Sequence, residues 1–135
     1  MHKENIRCVL LADRHHGLME RMRGLLETTF EAVIMVADEV SFLESASRLP
    51  VALVVVDLSL TYGDGIGMIR RFRAHFPKTK MIVISVLDDP SVSKSALEAG
   101  TNGFVLKRAI ATDLLPAVDA VLAGQCYVSP VILRN

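Results

Sequence analysis

Apolar residues fall in two alternating rhythms along this chain. Residues 6–12, 33–37, 51–57, 80–85 and 103–106 are short apolar or β-branched runs that predict strands. Between them the apolar positions take helical spacing. Leu18, Met22, Leu25 and Leu26 lie at i, i+4, i+7 and i+8, predicting a helix over 18–28. Phe42, Leu43 and Ala46 mark a helix near 41–47 that Pro50 ends. Ile66, Ile69, Phe72 and Phe76 mark a third, stopped at Pro77, and a modest fourth is closed by Gly100. Leu114, Val118, Val121 and Leu122 form the stripe of a last helix over 112–123. Pro116 fits that helix only in its first turn, so its start is expected after Thr112. Arg70, Arg71, Arg73 and His75 flank the third stripe and read as a solvated face.

Five strands alternating with five helices predict an α/β fold: a single, doubly wound, five-stranded parallel sheet in a (βα)5, flavodoxin-like three-layer sandwich. The run 51–57, Val-Ala-Leu-Val-Val-Val-Asp, is apolar on both faces until its last residue and reads as a central strand. Residues 126–135 show no period.

Composition narrows the function. The 135 residues are 51% hydrophobic, enough for one domain with a dense core. Fifteen basic and fifteen acidic side chains give no net charge, so the general basic field of a nucleic-acid binder is absent. Trp is absent and aromatics are 5%, which argues against stacking platforms for single strands. No apolar run is long enough to cross a membrane. The start reads as a strand rather than a signal peptide, and Cys8 and Cys126 form no CxxC; a cytoplasmic protein with ordinary thiols is expected.

The candidate chemistry lies at strand ends: Asp13, Asp57, Ser85 and Lys107. In open α/β sheets, ligands bind beyond the carboxyl ends of the strands. Asp57 alone also reads as a turn residue. Together the four suggest a phosphoryl site. Two carboxylates suit Mg²⁺, a lysine meets a phosphoryl oxygen, and an aspartate nucleophile needs little beyond positioning and charge neutralisation. His2, His15, His16 and His75 lack the spacing of a zinc site, and none is expected to hold a metal.

These residues stand in a recognisable order. Val9-Leu-Leu-Ala-Asp13 with His15, Val54-Val-Val-Asp-Leu58, Asp64-Gly65, Ile82-Val-Ile-Ser85, Ala96-Leu-Glu-Ala-Gly100, Gly103-Phe-Val-Leu-Lys107 and Val128-Ser-Pro130 resemble the receiver domain of bacterial two-component response regulators. The chain is most similar to the subfamily with a LuxR-type helix-turn-helix output. The resemblance implies a receiver over residues 1–125, with 126–135 a C-terminal tail or the start of a linker to a missing output domain. It implies Asp57 as phosphoacceptor, and Asp13, Asp57 and the backbone carbonyl of Ser59 as the Mg²⁺ shell. Ser85 and Lys107 would meet the phosphoryl group, and Phe104 would be the aromatic switch. The only enzymatic activity implied is self-catalysed phosphoryl transfer to Asp57 and slow autodephosphorylation. Implied partners are a sensor histidine kinase or other regulatory protein, and a second copy in a homodimer. DNA would be met only through an output domain outside this chain.

Two departures from the family pattern stand out. Arg14 occupies the position of the second acid after the first strand. A guanidinium has donors only and cannot ligate, so an atypical acidic pocket with weak or absent Mg²⁺ binding is expected. Thr61 and Arg108 replace prolines. Arg14 also supports an alternative, a degenerate pseudo-receiver serving as a phosphorylation-independent interaction or dimerisation module. A haloacid dehalogenase-like phosphatase would need a second aspartate where Ser59 stands. A dinucleotide-binding domain would need the glycine fingerprint that Asp13-Arg-His-His-Gly17 lacks.

Overall fold

The computed structural model describes residues 7–134. In chain order its elements are β1 (Cys8–Ala12), α1 (His16–Leu26), β2 (Ala32–Val36), α2 (Glu39–Arg48), β3 (Val51–Asp57), α3 (Ile66–His75), β4 (Lys80–Ser85), α4 (Pro90–Ala99), β5 (Gly103–Leu106), α5 (Ile110–Leu122), β6 (Tyr127–Val128) and α6 (Pro130–Leu133). The readings placed at residues 1–6, His2 and the start of the first strand among them, lie outside the described residues.

All strand pairs are parallel, in the order β2-β1-β3-β4-β5-β6. Strand residues alternate between two cores. Val9, Leu11, Leu53, Val55, Ile82, Ile84 and Val105 pack with α1 and α5. Leu10, Val54, Val56, Val83, Phe104 and Leu106 face α2, α3 and α4, where Phe42 stacks on Phe72 at 5.1 Å. Burial on both faces explains the unbroken apolar run of β3.

The sheet has six strands where the sequence predicted five. Tyr127–Val128 is too short for any period, and it pairs with β5 through side-chain help. The Tyr127 N–H donates to the Asn102 carbonyl and the Ser129 N–H to that of Phe104. The buried Ser129 Oγ accepts the Leu106 N–H at 3.0 Å, taking the place of a backbone acceptor.

Two local expectations also change. α5 begins at Ile110 and runs through Pro116, whose ring lies on the exposed face. The lost N–H costs one helical bond, while the buried stripe of Leu114, Ala117, Val118 and Val121 holds the helix across it. Arg73 is half-buried and makes five hydrogen bonds, to the carbonyls of Phe76, Thr79 and Gly100 and to the Asn102 side chain. It joins the C-terminal ends of α3 and α4. Burial holds its guanidinium below the usual range.

Candidate functional site

The register of the central strands assembles the site. Leu11 pairs with Val55 and Ala12 with Val56, so the chain leaves β1 at Asp13 beside the point where β3 ends at Asp57. Strand alternation turns both towards the same side. Asp57 pairs with Ile84 on β4, and Ser85 pairs with Leu106 on β5, immediately before Lys107. Asp13, Asp57 and Ser85 are buried, while Lys107 is 12% exposed.

Asp57 is held from several sides. Its Oδ2 accepts from Lys107 Nζ at 2.9 Å and from Ser59 Oγ at 2.9 Å, and its Oδ1 accepts the Ser59 N–H at 3.2 Å. Burial pushes its carboxyl up. The Lys107 hydrogen bond, the two from Ser59 and the lysine's charge outweigh that and hold it below the usual range.

Asp13 moves the other way. Burial raises it and the nearby Asp57 adds to the rise, against the hydrogen bond from the His15 N–H to its Oδ1 at 2.9 Å and the charge of Lys107. The two acids are thus driven apart, as expected of carboxylates sharing one site. Asp13 Oδ2 is buried without a hydrogen-bond donor among the described residues, and Lys107 Nζ stands 3.6 Å from it.

Arg14 does not enter this cluster. It is exposed, and its guanidinium carbon lies 5.7 Å from the centre of the Tyr62 ring. The inward position next to Asp13 goes instead to His15, whose Nδ1 is 3.1 Å from Asp13 Oδ1, 3.6 Å from Asp57 Oδ2 and 3.2 Å from Lys107 Nζ. Ligand atoms of Asp13, His15 and Asp57 lie within 4.8 Å of one another. This overturns the expectation that Arg14 makes Mg²⁺ binding weak or absent: the guanidinium faces solvent, and an acidic cluster suited to a divalent cation stands clear of it. The alternative built on Arg14 loses its support with it. The expectation that no histidine would hold a metal rested on zinc spacing; the structure places His15, two positions past Asp13 on the same loop, against both acids.

The other predicted site residues take separate places. Ser85 Oγ accepts the Leu87 N–H at 3.0 Å, and its side chain lines an open cleft of about 410 Å³. His15, Asp57, Ser59 and Lys107 line one side of that cleft, and Val92 on α4 another. Phe104 is fully buried, paired with Val83 and bonded through its carbonyl to Ser129. Gly65, in the left-handed region at φ 80°, turns the chain out of the cleft into α3. No helix among the described residues is long and apolar enough to cross a membrane.

Comparison with known proteins agrees with this geometry. The response regulator receiver domain family matches residues 9–119. The transcriptional regulatory protein RcsB of Escherichia coli (strain K12) is 30% identical over 132 residues, covering 93% of this chain. The chain spans 61% of the length of that relative. The isolated REC domain of RcsB from Salmonella enterica serovar Typhimurium, solved with the phosphomimetic BeF3-, superposes with a TM-score of 0.84 at 27% identity, over 96% of this chain and 98% of that one. A LuxR-family two-component response regulator from Aurantimonas sp. SI85-9A1 gives 0.86 at 26% identity, over 96% and 94%. The rim of two acids, a hydroxyl and a lysine and the family match together show that the chain belongs to the response regulator receiver domain family, the phosphorelay receivers of two-component signalling.

Proposed function

We propose that Asp57 is the phosphoacceptor and that its phosphorylation is the signal this domain passes on. The observation that carries the reading is the state of Asp57: buried, yet kept ionised by Lys107 and Ser59 at the open edge of a cleft. An ionised carboxylate is the form that attacks phosphorus. One carboxylate oxygen forms the new P–O bond as the bond from phosphorus to the donor's leaving atom breaks. The electron pair goes to the donor, a phosphohistidine of a sensor kinase or a small acyl phosphate.

The residues fit a divalent cation, because the buried Asp13 Oδ2 lacks a hydrogen-bond donor among the described residues and its lone pairs are free to ligate. Asp13 and Asp57 would hold Mg²⁺, together with the Ser59 carbonyl, and the ion would supply charge neutralisation at the phosphoryl oxygens. Lys107 supplies a second positive charge at the carboxylate. The Ser85 hydroxyl can leave its Leu87 contact and donate to a phosphoryl oxygen.

The relationship to RcsB, a transcriptional regulatory protein, and to a LuxR-family regulator supports a transcriptional output through a LuxR-type helix-turn-helix domain. In that arrangement the receiver, read from the sequence as residues 1–125, extends through β6 to Val128, the residues after it lead towards the output, and a sensor kinase and a second copy are the partners. A cytoplasmic location follows from the same role.

Intact mass after incubation with acetyl phosphate and Mg²⁺ tests the site, beside an Asp57→Asn control. The expected result is one phosphoryl adduct that the control lacks. A folded protein that gains none, or an adduct that survives in Asp57→Asn, overturns Asp57 as acceptor.

A further inference from the structure

We propose that His15 is itself a ligand of the cation site, through Nδ1, and that this nitrogen tilts the site from Mg²⁺ towards first-row transition-metal dications. The inference rests on the reading that Asp13 and Asp57 hold a divalent cation.

The polar contacts of Nδ1 do not satisfy one another. It faces Asp13 Oδ1 at 3.1 Å and Lys107 Nζ at 3.2 Å. A carboxylate only accepts hydrogen bonds, and an ammonium only donates. If Nδ1 carries the ring proton it serves Asp13 and turns an N–H towards the lysine. If it does not, it accepts from the lysine and sets its lone pair against the carboxylate. Either tautomer leaves one close contact unfavourable. A dication that displaces the ammonium from Nδ1 removes the conflict, because it takes carboxylate and imidazole lone pairs alike.

The spacing fits shared coordination. Ligands at about 2.1 Å from an octahedral ion stand about 3 Å apart when adjacent. Nδ1 lies 3.1 Å from Asp13 Oδ1 and 3.6 Å from Asp57 Oδ2. The backbone from which the ring projects is fixed, since the His15 main-chain N–H is bonded to Asp13 Oδ1. Independently, Asp13 Oδ2 is fully buried in the same cluster with no hydrogen-bond donor among the described residues. The His15 side chain is 58% exposed and lines the open cleft.

Ligand type then sets preference. Mg²⁺ favours an all-oxygen shell, whereas imidazole nitrogen suits the transition metals, whose affinities rise along the series from Mn²⁺. Two carboxylates and one imidazole make a mixed set that Mn²⁺ accepts with less loss than Mg²⁺.

Mn²⁺ is the probe. Electron paramagnetic resonance of the whole chain titrates free against bound ion, and electron spin-echo envelope modulation reads directly bound nitrogen. The expected result is bound Mn²⁺ with an imidazole nitrogen coupling that His15→Ala abolishes. That variant should bind Mn²⁺ about tenfold more weakly, with Mg²⁺, measured by displacement, weakened less. His15→Gln, which keeps the polar bulk, should likewise lose the coupling while circular dichroism confirms its fold. Bound Mn²⁺ without the coupling, or a coupling that survives in His15→Ala, overturns His15 as ligand and leaves the two-carboxylate reading standing. No bound Mn²⁺ or Mg²⁺, with Asp13→Asn indistinguishable from the natural chain, overturns both.

Discussion

Lys107 Nζ sits 2.9 Å from Asp57 Oδ2, closing a gap of fifty residues in sequence across the end of β4. The pair is nearly buried, and removing one partner of such a pair strands the other's charge. Lys107→Met should therefore destabilise the domain by about 3 kcal/mol at neutral pH. The pH dependence has a definite sign. Asp57 titrates below its ordinary value of 3.8 in the fold, so its contribution is present above that value and is lost as pH falls through the folded-state value. Urea melts of both proteins from pH 7 down to pH 3 should show the gap narrowing at the acid end. A gap independent of pH would deny the pair its electrostatic role.

Asp13 has the opposite bias. Its carboxyl is raised above 3.8, so its favourable contribution is present below that value and is lost as pH rises through the folded-state value. At neutral pH the fold carries a charge it disfavours. In chelator-treated buffer Asp13→Asn should be more stable by on the order of 1 kcal/mol, and the advantage should vanish at low pH. Added Mg²⁺ should raise the melting temperature of the natural chain and not that of the variant, since an ion that binds only the folded state stabilises it.

Arg14 lies over Tyr62, away from the two acids. Arg14→Ala should leave Mg²⁺ affinity within about twofold, because a solvent-screened charge acts weakly. Isothermal titration of both proteins against Mg²⁺ checks this. A gain of about tenfold or more would place the guanidinium back in the pocket.

Gly65 has no room for a side chain. A Cβ there would meet the backbone carbonyl and side chain of Leu58, at a φ of 80° that other residues rarely adopt. Gly65→Ala should cost about 2 kcal/mol or more by thermal denaturation. Gly17→Ala serves as the control, because nothing lies within 4 Å of its Cβ position.

Arg73 joins two helix ends through a planar fork of donors. Arg73→Ala would leave several carbonyls short of partners, at a cost on the order of 3 kcal/mol. Arg73→Lys should recover little, since an ammonium cannot reproduce the fork. Chemical denaturation of the three proteins gives the comparison.

Much of this architecture could be read from the chain, and the omissions share a cause. β3, β4 and β5 lie within the predicted bounds because apolar runs flanked by turn residues are local signals. Asp13 and Asp57 were legible as neighbours because both close strands of one parallel sheet. Tyr127–Val128 was not, since two residues carry no rhythm and Ser129 completes the pairing with a side chain. Arg73 was hidden among other cations on its helix, because its acceptors on residues 100 and 102 belong to a distant turn. His15 was hidden because two of its three partners, Asp57 and Lys107, lie on β3 and beyond β5.

The C-terminal strand makes the receiver a mechanical coupling. Tyr127 and Ser129 hold β5 by three hydrogen bonds, the last reaching Leu106, one peptide from Lys107. A load drawn along residues 130–133 is carried in shear by those bonds and arrives at the lysine's own strand end without first unwinding α5. The same bonds would carry a shift of Lys107, on the proposed phosphorylation of Asp57, through Leu106 to Ser129.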